Sequence, residues 1–245
     1  MGGVETIPVP EENIFLLLID LKGSTDLSED DSKRLYPLIA GFVDSVNEIF
    51  AEHLHIPMKH SYGDEVSGVF RTPLPCYLAA EEFYSIVRDI TGFRYCVAEG
   101  SLTFPSADMR KVGGTAFKRA NMVMESRLKK KKRRFCEWTL DDSSLSATVT
   151  SLVNLCYELK QRMTELQWEV YAGLSNDMTI TQIAQEKGHN KNSLYQVNSR
   201  SASEVIFNAE IQLQRLLSGY GINGKHPATE KHTLSRDIRK CNGKA

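Results

Sequence analysis

The stretch that most constrains this chain is Asn13 to Thr25, NIFLLLIDLKGST. Six consecutive apolar residues, Ile14 to Ile19, are bounded by polar ones. A run of that length and composition suits a strand buried on both faces, so the fold has to cover a sheet from two sides. The run ends in a carboxylate, Asp20. Gly23, Ser24 and Thr25 then suit a tight turn into a helix, and Lys22 lies within that turn, whose amides suit a phosphate.

A second segment, Ser61 to Phe70, places Gly63-Asp64 between Met58–Tyr62 and Val66–Phe70, the pattern of a hairpin. If hairpin and buried strand pair, Asp20 and Asp64 reach one edge of the same sheet. Two close carboxylates repel unless a cation neutralises them, and Mg²⁺ takes one or two protein carboxylates with water and substrate phosphates. Each Asp taken singly also reads as an ordinary strand end or turn residue. Glu65 follows Asp64 and, by strand alternation, is expected on the opposite face, toward solvent. Glu99 and Gly100 end a later strand, where Gly100 leaves room for a phosphate or base, or simply marks the strand end.

The remaining periodicities give an order of elements. Ser32 to His53 has helical apolar spacing, with Pro37 in its first turns. Arg71 to Pro75 reads as a breaker, Cys76 to Ile90 as a helix, Phe93 to Phe104 as a strand, and Pro105 to Gly114 as a loop. Thr115 to about Lys130 is a third helix, and Arg134 to Thr139 a last strand. The order β-α-β-β-α-β-α-β predicts an α+β, ferredoxin-like palm over residues 1–140, with residues 1–12 as an unstructured leader. Asp141 to Ser146 reads as a polar linker.

Beyond it the pattern is wholly helical, giving an all-α domain over 147–218. Helices are expected over Thr148–Leu159 and Thr164–Leu174, the second opened by a Thr164/Gln167 capping box. Thr179 to Lys187, a turn at Gly188-His-Asn190 and one long helix from Lys191 to about Leu217 fit a helix-turn-helix. Ala184 suits the crossing of two helices, and Ile183, Leu194 and Val197 suit the core between three. The N-terminal face of the second helix then offers Asn190, Lys191, Asn192, Ser193, Tyr195, Gln196 and Arg200, side chains that meet phosphates and base edges of DNA. A small packing or dimerisation module has the same outline. Residues 219–245 form a basic, apolar-poor tail.

Composition adds exclusions. A net charge of −1 and a pI near 6.6 leave no global footprint for nucleic acid or membrane. The run Arg127 to Arg134 is the one strong local charge feature, a solvated helix end or a patch for polyphosphate, nucleic acid or an acidic partner. Five scattered cysteines without metal spacing read as reduced thiols. With no long apolar stretch and no signal-like N-terminus, a cytoplasmic protein away from membranes is expected. The histidines near the hairpin lack metal spacing, and no catalytic triad, P-loop or GxGxxG pattern is present.

The first half resembles the catalytic palm of class III adenylate/guanylate cyclases, through the apolar strand ending in Asp20, the turn Gly23-Ser-Thr25, Gly63-Asp64 and Gly114 opening the third helix. The whole chain resembles the SatD family, through Ile19-Asp20-x-x-Gly23-Ser24, Gly63-Asp64-Glu65, Gly114-Thr-Ala-Phe117-x-x-Ala120 and Thr181-Gln-Ile-Ala184. The resemblance implies a nucleotide held with Mg²⁺ on Asp20 and Asp64, with Lys22, Gly23, Ser24, Thr25, Gly63 and Gly100 around it, and a C-terminal helix-turn-helix. It also implies an Asn and, four residues later, an Arg on the third helix; Lys118 and Met122 stand there. Met122 cannot stabilise a pentavalent phosphate, which leaves Lys118 or Arg119 as substitutes and makes cyclisation the poorer expectation. The expected function is a nucleotide-responsive, homodimeric DNA-binding regulator. The alternatives are a metal-dependent nucleotidyltransferase or nucleotide hydrolase, and an interaction module with both sites vestigial.

Overall fold

The computed structural model describes residues 13–61, 64–103, 113–130 and 134–220. The expected leader, Gly63, Lys131 to Arg133 and almost all of the basic tail lie outside the described residues. Strand β1 (Ile14–Lys22) occupies the centre of a five-stranded sheet ordered β2-β3-β1-β4-β5, with β2 Leu54–His60, β3 Glu65–Phe70, β4 Gly92–Gly100 and β5 Cys136–Thr139. The pairings of β1 with β3 and β4, and of β2 with β3, are antiparallel; β5 lies parallel to β4. The first four strands have the split β-α-β order with the hairpin in the middle, and β5 extends the sheet.

Both faces of β1 are covered, as its apolar run requires. Phe15, Leu17, Ile19 and Leu21 enter one core with α1 (Glu29–Ile49) and α2 (Pro73–Val87). Ile14, Leu16 and Leu18 enter a second, smaller core under α3 (Thr115–Val123) and the π-helical turn Met124–Leu128 that continues it. The four described cysteines are free and buried, and burial pushes the Cys156 thiol up to about 12.

Several expected boundaries shift. α1 starts at Glu29, capped by Ser28, and Pro37 lies in its third turn on the exposed side, where the Lys33 carbonyl it deprives reaches water. Pro73 and Pro75 do not break structure; they form the first turn of α2, where missing amides cost nothing. The strand expected over Phe93 to Phe104 ends at Gly100. Asp141 to Ser146 is not a linker: Asp142 accepts from the Leu145 amide as the N-cap of α4 (Ser143–Gln161).

α4 belongs to the sheet body. The Asn154 side chain receives the Phe135 amide at 2.8 Å and donates to the Cys136 carbonyl at 3.0 Å, while Thr150 Oγ1 receives the Trp138 amide at 2.9 Å. These bonds occupy the outer edge of β5. At the opposite edge Asn47 of α1 bonds both the amide and the carbonyl of Met58 on β2, at 2.7 and 2.9 Å. Both edges are thereby closed to further strands.

The other helices are α5 (Glu165–Ser175), α6 (Ile180–Lys187), α7 (Lys191–Arg200) and α8 (Ser203–Gly219). The long helix expected from Lys191 to Leu217 is broken at Ser201, which is extended at φ −86° and ψ 163°. The serine hydroxyls there take over backbone bonding: Ser201 Oγ donates to the Asn198 carbonyl and receives the Ser203 amide. α8 then turns back, and Ile206, Leu213 and Leu217 join the same core as Val149, Val153 and Tyr157 of α4.

Within that core Lys160 of α4 is 1 % exposed. Its ammonium is paired with Glu81 of α2 and, at 2.6 Å, with Glu210 of α8, and lies 5.3–5.7 Å from the rings of Tyr84, Tyr157 and Tyr171. Burial alone would lower the Lys160 pKa, but the two carboxylates outweigh it and raise it well above the ordinary value. Removing one partner of a buried ion pair leaves the others uncompensated. Lys160→Met is therefore expected to cost about 3–5 kcal/mol, read from the urea midpoint, against little change in the denaturant slope.

Candidate functional site

Two regions hold the residues singled out from the sequence. At the first, the end of β1 and the hairpin turn do meet: the Leu21 amide donates to the Asp64 carbonyl at 3.1 Å. Gly23 is left-handed (φ 66°), which lets the chain turn at once into the short 3-10 helix Ser24–Asp26. Ser24 Oγ donates to Asp64 Oδ2 at 2.8 Å, and Thr91 Oγ1 donates to the Lys22 carbonyl. Thr25 is exposed. Asp20 and Asp64 thus share one end of the sheet.

Asp20 is already neutralised. It is 7 % exposed, and Arg94 on the neighbouring strand donates Nε to its Oδ2 at 2.5 Å. The β1–β4 register places the two side by side. Nothing in the local pattern around Arg94 signals this partnership, because cross-strand register is not visible in one segment. Among the described residues no three His, Cys, Asp or Glu are arranged to hold a metal ion. Asp20 and Asp64 are the two carboxylates expected to take Mg²⁺, but the counter-charge on Asp20 comes from the protein itself.

Glu65 corrects an expectation. It pairs in register with Asp20, so it lies on Asp20's face rather than turning to solvent, and it is half-buried. Burial pushes its carboxyl above the ordinary range, Asp20 adds to this, Lys129 partly offsets it, and Asp64 adds a little more. Further across this face Glu137 of β5, 8 % exposed in its side chain, receives Arg127 at 2.5 Å and Arg134 at 2.9 Å. Lys129 pairs with Glu125. The described cations of the basic run are thus partly spent on the protein's own carboxylates.

Arg119 is held elsewhere. It donates to the Glu99 carbonyl at 2.7 Å and to Asp141 at 2.6 Å, and Lys118 beside it is exposed. Glu99 pairs with Phe15, five residues before Asp20, roughly 17 Å along the strand. Held there, Arg119 does not reach a phosphate at Asp20 and Asp64 within one chain. Gly100 is not open either: a Cβ there would lie 2.6 Å from the Ala116 amide, so the glycine admits the start of α3, not a ligand. Glu99 is structural, accepting from Asn13, the Asp141 amide and the Tyr220 hydroxyl.

The second region is the unit α5–α6–α7. Val170, Ile180, Ile183, Ala184 and Leu194 form its core, with Leu166, Leu174, Met178 and Val197 packed on it. Gly173 lets α5 touch Ile183 of α6, since a Cβ there would lie 2.6 Å from that side chain. Capping boxes at Thr164/Gln167 and Thr179/Gln182 start α5 and α6. Gly188 ends α6 in the left-handed region (φ 69°), and the Asn190 side chain caps α7 by accepting the Asn192 and Ser193 amides. That role removes Asn190 from the set open to a ligand. Lys191, Asn192, Ser193, Tyr195 and Arg200 are exposed and Gln196 is exposed beside them, while Leu194 between them is buried.

The fold is that of a mixed α/β protein whose split β-α-β sheet is followed by helices. No protein-family profile and no curated protein matches the chain. Among solved structures it is similar to a bacterial light-regulated adenylyl cyclase, at 13 % identity and TM-score 0.30, over 56 % of this chain and 46 % of that one. It is also similar to a regulator of polyketide synthase expression from Bifidobacterium adolescentis, at 9 % identity and TM-score 0.25, over 85 % and 82 % of the two chains. Among the described residues no helix is long and apolar enough to cross a membrane.

Because the folded state raises the Glu65 pKa, its protonation favours the fold; that contribution is present below the ordinary carboxyl pKa and lost as pH rises through the raised one. Glu65→Gln is therefore expected to melt higher than the wild type at neutral pH, the gap closing below about pH 4. A gap that does not vary with pH would show that Glu65 bears no such cost.

Proposed function

We propose that this is a DNA-binding regulatory protein, cytoplasmic and homodimeric, that reads duplex DNA with α7. The observation that carries the reading is the joint between α6 and α7: a left-handed Gly188, an Asn190 cap and a buried Leu194 seat one face of α7 on the core and leave the opposite face of its first two turns exposed. Lys191 and Arg200 then supply charge for phosphates, and Asn192, Gln196, Ser193 and Tyr195 supply donors, acceptors and a ring for base edges. The motifs that the sequence shares with the SatD family favour the same reading. A second copy would double the contact and match a two-fold site on DNA.

A second reading, favoured by the contact between Leu21 and Asp64, makes Asp20 and Asp64 the seat of a Mg²⁺–nucleotide complex that tunes this regulator. Arg94 would have to leave Asp20 to admit the metal. In that case Asp20→Ala abolishes a Mg²⁺-dependent thermal shift by nucleotide; a shift that survives the substitution, or none in the wild type, removes this second reading.

The DNA reading is tested with duplexes enriched from a random library by the full chain, followed by anisotropy across a salt series. Lys191→Ala with Arg200→Ala is expected to weaken binding, by about 1–3 kcal/mol for a side chain that reads a base, and to flatten the salt slope by about one unit for a side chain that holds a phosphate. An unchanged, salt-steep affinity in the double variant would place the binding outside α7.

A further inference from the structure

α8 buries Ile206, Leu213 and Leu217 in the main core and turns its other side to solvent. That side is not uniformly polar. Val205 is 62 % exposed, the most of any large apolar residue among those described, and Leu216 is 39 % exposed. A single exposed apolar side chain is ordinary, but these two end one line along the helix. Val205, Ala209, Gln212 and Leu216 fall at i, i+4, i+7 and i+11, the spacing of one helical stripe. Ala209 is half-buried and Gln212 is exposed.

This stripe is complementary to itself. Read in either direction its steps are 4, 3 and 4 residues, with a branched apolar residue at each end. Two copies of α8 laid antiparallel about a two-fold axis therefore set Val205 against the partner's Leu216 and Ala209 against the partner's Gln212, each contact made twice. The charges beside the stripe agree. Glu204 and Arg215 each precede one of its ends by one residue, so both lie on the same flank. The two-fold axis brings that flank against its own copy, with Glu204 and the partner's Arg215 about 3 Å apart along the helices, within reach of both side chains. Both residues are exposed, and neither has an ion-pair partner among the described residues. A parallel pair would set like charges level with one another, which is unfavourable.

We propose that α8 pairs antiparallel with α8 of a second copy of this chain, through the stripe from Val205 to Leu216 and two Glu204–Arg215 ion pairs. The inference rests on the homodimer part of the reading above and names its surface; it does not depend on contact with DNA. Only Ser201 and Ala202 separate α7 from α8, so the same pairing fixes the distance between the two copies of α7.

The full chain is sedimented over a concentration series, and site-directed cross-linking then locates the contact. Val205→Cys and Leu216→Cys are made separately in a Cys241→Ser background, where the other four cysteines are buried. Mixed in reductant and then oxidised, the two variants are expected to form a disulfide with one another. Either alone is expected to form little, because like positions lie 11 residues apart along the pair, about 16 Å. Glu204→Arg, at an exposed position, is expected to raise the dimer Kd about tenfold, and adding Arg215→Glu to restore it. A monomer throughout the series would overturn the pairing and the homodimer together. A dimer whose mixed variants do not cross-link, or in which each variant links to itself as readily, would overturn the pairing and leave a homodimer built on another surface. Both readouts are taken without DNA, so neither failure is confused with a failure to bind it.

Discussion

A charge placed in a protein interior dictates what surrounds it. The Lys160 ammonium can lie among three tyrosine rings only because α2 and α8 each bring a glutamate to it. α4 carries the lysine, α4 also seals the edge of β5, and Tyr171 of α5 donates to Glu210. One buried group thus ties the sheet body to the helices that follow. The direction of the chain after α7, back toward the sheet, follows from the need to deliver Glu210 there.

The two regions of interest differ in how they are built. The end of the sheet holding Asp20 is made by strand pairing, which brings together residues far apart in the chain: Asp20, Asp64, Glu65 and Arg94. There Asp20 is balanced by Arg94, while Glu65 bears the repulsion of its acidic neighbours. The α5–α7 unit is made by local rules, namely capping boxes, a left-handed glycine and a small residue at a crossing. These leave a row of polar side chains on α7 with little to hold them but solvent.

That contrast also explains what could be read from the sequence. The doubly buried β1, the hairpin, the split β-α-β order and the α6–turn–α7 joint were legible, because each is written in contiguous residues as periodicity, turn chemistry or a cap. The Arg94–Asp20 pair was not, since it depends on register between two strands. Asp141 to Ser146 has the same polar composition whether it is a linker or an N-cap, and only the bonds from α4 to β5 decide between them. Gly100 signals a close approach correctly, but the sequence does not say that α3 is what approaches. The engagement of Arg119 with Glu99 and Asp141 is hidden for a related reason: helix spacing gives its face on α3 but not the end of the sheet over which that face lies. Lys160 gave no sign at all, because a lysine near a helix C-terminus is ordinarily solvated.

The central claim is that α7 meets DNA, and contact chemistry tests it most directly. A benzophenone side chain in place of Tyr195, which is 51 % exposed on α7, reacts only with what lies against it; the same group in place of Tyr36 on α1 serves as the control. With a duplex enriched by the full chain, the account predicts a light-dependent protein–DNA adduct from position 195 and none from position 36. No adduct at 195, or equal adducts at both, would contradict it.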